Sequence, residues 1–194
     1  MDADFTIELG REDPVLDFPW KDPAGRLAYF DLKRQPEMIA QVEEAKRFPE
    51  LGEFLHTVNS ARSLVESAKC DVWATTDLTM EEDVFDASHK FASYVDLVLS
   101  TAVSSNVGDR SSFPRHEQFV KRLVGLLRRA PEMSASVEVC VRRCFFGDAG
   151  ETREGFYFTV YVNGYADDEA TAQERWAIAV KLVSAAIVQL SANG

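Results

Sequence analysis

The chain has 194 residues, 46% of them hydrophobic, enough for one self-sustaining core that needs neither disulfides nor a structural metal. An aromatic share of 11% excludes a disordered chain, and 21 Lys and Arg against 32 Asp and Glu leave a formal net charge of −11, which repels nucleic acid and anionic lipid. The acids crowd the first hundred residues; the second part balances 11 of each sign, and its basic excess between Asp109 and Arg143 fits an ordinary mixed-sign surface.

The opening Met1-Asp2-Ala3-Asp4 lacks the basic and apolar regions of a secretory signal. Lys181, Ser184 and Gln189 interrupt the longest apolar stretch, Trp176 to Leu190, which falls short of the roughly 20 residues of a membrane span. Cys140 and Cys144, four apart on an extended segment, are separated by about 13 Å, beyond disulfide reach. The expectation is a cytoplasmic protein with reduced thiols and with no membrane or nucleic-acid partner.

In chain order, residues 5–9 alternate as a strand, and 27–33 read as a second, looser one. Pro14, Pro19, Pro23 and Gly25 make the intervening segment irregular, so Val15, Leu16, Phe18 and Trp20 ride on an extended loop that is expected to cover the edge of the core. Pro36 opens a helix with Met38, Ile39, Val42 and Ala45 on one side. After Pro49, the spacing of Leu51, Phe54, Val58, Ala61, Val65 and Ala68 predicts a helix from about 50 to 68.

Cys70–Thr76 has strand chemistry, with Val72 and Ala74 on one side and Asp71, Trp73 and Thr75 on the other. Thr79 and Glu82 match a capping box for a short helix near Met80, and β-branched and aromatic residues favour a strand over 91–101. A Ser-, Asn- and Gly-rich loop, 104–112, precedes a helix opened by Pro114, with Phe119, Leu123, Leu126, Leu127 and Ala130 as its stripe.

Residues 135–146 and 156–163 form a predicted antiparallel hairpin. Val137, Val139 and Val141 lie on one face with Phe156, Phe158, Val160 and Val162; Glu138, Cys140 and Arg142 lie on the other with Tyr157, Thr159 and Tyr161. Thr171 and Glu174 stand at capping-box spacing for a final helix over about 169–191, whose apolar surface is wide enough to be central or covered by a partner subunit. The order ββααβαβαββα describes a single α+β domain spanning 1–194, a largely antiparallel sheet with helices over one face.

No phosphate-cradling glycine loop, GxSxG elbow, HExxH or CxxC occurs, so no cofactor and no catalytic residue is assigned. Glu82, Asp86 and His89 would share one side of a helix, but a single such set is weaker than a metal site needs, and none is assigned. Arg142, flanked by Cys140 and Cys144, would lower a thiol pKa, but buried, inert cysteine is the commoner situation and no His or Asn in sequence is placed as a base, so no catalytic thiol is assigned. Glu138, Arg142, Tyr157, Thr159 and Tyr161 form the candidate binding surface, because Tyr and Arg combine large contact area with directional hydrogen bonds.

The expected function is a non-enzymatic, protein-binding module, chaperone-like or self-associating as a homodimer. The alternative is a small-molecule binder or enzyme with a pocket between sheet and helices, where Arg142 or Arg143 meets an anionic group.

Overall fold

The hairpin near the carboxyl end organises the sheet in the computed structural model, which describes residues 1–22, 24–25, 27–101, 110–148 and 151–193. Strands β5 (Ala135–Asp148) and β6 (Glu151–Ala166) pair antiparallel from Ala135↔Gly164 to Asp148↔Glu151. Both run longer than their apolar alternation predicts; residues 149–150 of the turn fall outside the described residues, as does most of the 104–112 loop.

Strand β4 (His89–Leu99) pairs antiparallel with β6, and β3 (Val65–Thr75) pairs antiparallel with β4. On the other side of β5, β1 (Asp2–Glu8) and then β2 (Leu16–Phe18) run parallel to it. The sheet order is β1-β5-β6-β4-β3, with β2 following β1 along the same flank of β5. It is a mixed, mostly antiparallel sheet of an α+β fold.

A six-residue 3-10 turn (Pro36–Gln41) and α1 (Glu43–Arg47) lead into α2 (Pro49–Val58); α3 (Phe113–Leu127) and α4 (Glu169–Ala192) are the other α-helices among the described residues. One face of the sheet carries Val137, Val139, Val141, Phe158, Val160, Val95 and Leu97, all buried in a common core with Leu51 and Phe54 of α2, Leu123 of α3, and Trp176, Val183 and Ile187 of α4. The full length of α4 is long and apolar enough for a membrane span, but the helix packs on β6 and β4 and against α2 and α3. The buried Trp176 indole donates to Ser93 Oγ at 2.8 Å. Gly164 of β6 lets α4 approach: a Cβ there would lie 2.2 Å from the Ala172 carbonyl oxygen and 2.4 Å from the Trp176 nitrogen.

Four local expectations are corrected. Residues 27–33 form no strand, because the Asp31 side chain and carbonyl bind the N–H groups of Arg34 and Gln35 and close a turn. The second strand is instead β2, inside the proline-punctuated segment, where Leu16 and Phe18 point inward and Pro19 lies just beyond its end.

The helix after Pro49 ends at Val58, not 68. Buried Asn59 donates to Leu55 O and Ser67 Oγ and accepts from Ser67 N, which turns Val65 and Ala68 into β3. The cap of α4 is Asp168, which accepts from Thr171 N at 2.9 Å, rather than a Thr171–Glu174 box. Near Met80 the structure forms a 3-10 turn (Met80–Phe85), and Glu82 accepts the Thr79 N–H as a capping box requires.

Both sheet edges are occupied by side chains. On β1, Ala3 N and Phe5 N donate to the carboxylates of the preceding Asp2 and Asp4, while Arg128 donates to Ala3 O. On β3, Asp71 takes Val72 N in the same way, Lys33 donates to Val65 O, and Trp20 donates to Ala68 O. Strand addition by another chain would have to displace these bonds.

Candidate functional site

Among the described residues no α-helix packs over the other face of the sheet, and its residues fall into rows set by strand register. One row runs Asp71, Tyr94, Tyr161, Glu138 from β3 to β5; the next, toward the N-terminal segment, runs Lys69, Asp96, Thr159, Cys140. Beyond the half-buried Lys69, the second row is a buried floor, with Thr159 1% and Asp96 7% exposed.

The Thr159 hydroxyl donates to Asp96 at 2.6 Å and accepts from Arg142, which also donates to Glu8 at 2.7 Å and to the Tyr161 hydroxyl at 3.2 Å. The guanidinium lies 5.7 Å from the Tyr161 ring centre. Burial works against the Arg142 charge, but the bonds to Glu8 and Tyr161 outweigh it and hold the proton. Burial pushes the Asp96 carboxyl up to about 6, against the pull of Thr159 and of the Lys69 and Arg142 charges.

Two covers flank this face. At one end the N-terminal segment seals it: Leu16 and Phe18 pack with Val98, Cys144, Phe146 and Tyr157, and Trp20 and Tyr29 lie alongside. At the other end, the Phe85 ring stacks on Tyr165 at 4.1 Å, and Tyr165 donates to Glu82, which also pairs with Lys90 at 2.6 Å. Between the covers lies a strip in which Trp73, Tyr94, Tyr161, Ser136 and Asn163 are half-buried and Asp71 and Glu138 are exposed. Trp73, Tyr94 and Tyr161 form a continuous aromatic line, with ring centres 6.3 and 6.2 Å apart.

The five candidate residues therefore separate. Arg142, Thr159 and Tyr161 share one network; Glu138 stands exposed beside Thr6; Tyr157 is buried beneath the N-terminal segment. Arg142 and Thr159 form the floor of the strip rather than its surface. Trp73, Tyr94 and Asp96 were not among the candidates. An acid inside the apolar run Val95–Leu99 was the signal for Asp96, and the side shared by Asp71 and Trp73 was the signal for the strip.

Cys140 and Cys144 are buried, and burial pushes both thiols up to about 12, so an adjacent arginine does not activate them. Glu82, Asp86 and His89 do not share a helix side: Glu82 sits in the 3-10 turn, Asp86 adopts φ 45°, and His89 begins β4. Among the described residues no three His, Cys, Asp or Glu side chains gather as a metal site.

A cleft of about 790 Å³ opens beside the N-terminal segment rather than between sheet and helices. Its four cations are engaged. Arg110 lies between the Phe18 and Phe146 rings and pairs with Glu66; Lys33 donates to Ser63 O and Val65 O; Arg34 and Arg153 meet Asp31 and Glu151. Arg143 donates to Gly10 O at 2.7 Å. No family model matches the chain, and comparison with curated proteins and with solved structures finds no significant match.

Proposed function

We propose that the chain is a non-enzymatic protein-interaction module that docks a polypeptide partner on the strip between the two covers. The observation that carries this reading is the half-buried line Trp73–Tyr94–Tyr161, held on paired strands above a hydrogen-bonded floor. Aromatic side chains fixed in this way present large contact area with little rotamer freedom left to lose, which is what binding hot spots require. The guarded edges of β1 and β3 favour the face over strand addition as the mode of contact. Buried, protonated thiols and cleft cations that already have partners support binding over catalysis, and three free cysteines support a reducing, cytoplasmic setting.

Selection of a displayed 12-residue peptide library against the whole chain tests this. Enriched peptides should bind Tyr94→Thr/Tyr161→Thr at least tenfold more weakly; Trp73→Thr provides the same test if the double variant fails to fold. Peptides that bind these variants as well as the native chain, or no enrichment at all, would overturn the reading. Sedimentation at high micromolar concentration separates self-association, seen as a dimer, from a different partner, where the chain stays monomeric.

A further inference from the structure

The row across the strip alternates in a way that specifies the partner's charge. Asp71, Tyr94, Tyr161 and Glu138 are consecutive register partners on β3, β4, β6 and β5, so two carboxylates bracket two phenol rings. Both acids are exposed, and neither forms an ion pair among the described residues: Asp71 accepts only its neighbour's Val72 N–H, and Glu138 only a long bond from Thr6. Two cations on this face have contacts elsewhere. Arg142 is held by Glu8, and Lys69 lies over the Trp20 ring at 5.2 Å. The face thus offers two exposed carboxylates beside half-buried tyrosine rings, an arrangement that attracts a cation through both an ion pair and ring contact.

Three inter-strand steps separate Asp71 from Glu138, about 14 Å, which is close to the reach of residues i and i+4 in an extended chain. Resting on the docking function proposed above, we infer that the partner is a basic protein segment, laid across the strands with Arg or Lys four residues apart. One cation meets Asp71 beside Tyr94, and the other meets Glu138 beside Tyr161. The net charge of −11 draws such a segment in at long range.

The test uses fluorescein-labelled nine-residue peptides with Arg at i and i+4, with Arg at i and i+2, and with Glu replacing both, measured by anisotropy against the full chain. The first should bind, and Asp71→Asn/Glu138→Gln should weaken it at least tenfold. Glu53→Gln/Glu174→Gln, which removes the same charge from exposed sites on α2 and α4, should change it less than twofold. The i, i+2 and Glu peptides should bind at least fivefold more weakly than the first.

Equal weakening by the two double variants would reduce the effect to overall charge and overturn the inference. So would library-selected peptides that depend on Tyr94 and Tyr161 but not on Asp71 and Glu138; that result leaves the docking reading intact. Loss of tyrosine dependence altogether overturns both.

Discussion

The two faces of the sheet are built on the same strands by opposite chemistry. The face beneath α2, α3 and α4 is closed by Val, Leu, Phe and Trp, each worth roughly 1.5–3 kcal/mol when buried. Opposite, the floor is Thr, Asp and Arg, where each bond contributes about 1 kcal/mol net but leaving one unmade costs more. The comparison assigns stability to one face and display to the other: the apolar face fixes the strands, so the polar face can hold its aromatic line in place without being sealed.

The harshest way to break that division is to lift α4 off the sheet. Gly164→Ala places a methyl against the Ala172 and Trp176 backbone, which has no side-chain rotation by which to move away. Urea unfolding should show a loss of about 3 kcal/mol or more, with Tm lower by roughly 10 °C. Gly125→Ala on α3, where a Cβ would meet nothing within 4 Å, should be neutral or slightly stabilising. Equal effects at both positions would mean that the close approach of α4 is not what holds the core.

A smaller break belongs to the floor. Arg142→Met removes the donor shared by Glu8, Thr159 and Tyr161 and leaves Asp96 with Lys69 but without the second nearby positive charge. The expected loss is about 2 kcal/mol, because Glu8 can recover part of its solvation while Asp96 and Thr159 cannot. A change under about 0.5 kcal/mol would show that the network is incidental to the fold.

The apolar face was legible in the sequence because its signal is periodic. The alternation of Val137, Val139 and Val141, the 3-residue and 4-residue spacing on α3 and α4, and the strand over 91–101 all reached the structure close to their predicted bounds. Where periodicity continued through a boundary it misled. Ala61, Val65 and Ala68 extend the stripe of α2, and only the Asn59 side chain, bonded to both helix and strand, decides where the helix stops.

The candidate site was half legible. The hairpin's polar side was identified, but which of its residues are floor and which are surface depends on what lies above them. Tyr157 is buried because Leu16 and Phe18, some 140 residues earlier, fold over that end, and a local pattern carries no information about such a cover. Tyr94 and Trp73 joined Tyr161 only through the order β3-β4-β6, which links strands distant in sequence.

The mildest test sharpens the comparison through pH. Asp96 is buried, with its carboxyl pushed up to about 6, so between pH 4 and 6 the folded chain holds a proton that the unfolded chain has released. Its contribution to stability is greatest at low pH and declines as pH rises through that window, by at most about 3 kcal/mol. Glu82 titrates in the opposite sense: burial would raise its carboxyl, but bonds from Lys90, Thr79 N–H and Tyr165 lower it, so its support weakens as the solution becomes acidic. The Asp96 effect must therefore be read as a difference between variants. Asp96→Asn keeps an oxygen to accept from Thr159 while removing the charge, so it should match the native chain below pH 4 and exceed its Tm at pH 7 by about 5 °C. A Tm difference between the two that is independent of pH would show that Lys69 and Arg142 already neutralise the carboxylate, and the floor would then be an ion-pair cluster rather than a desolvated acid held among hydroxyls.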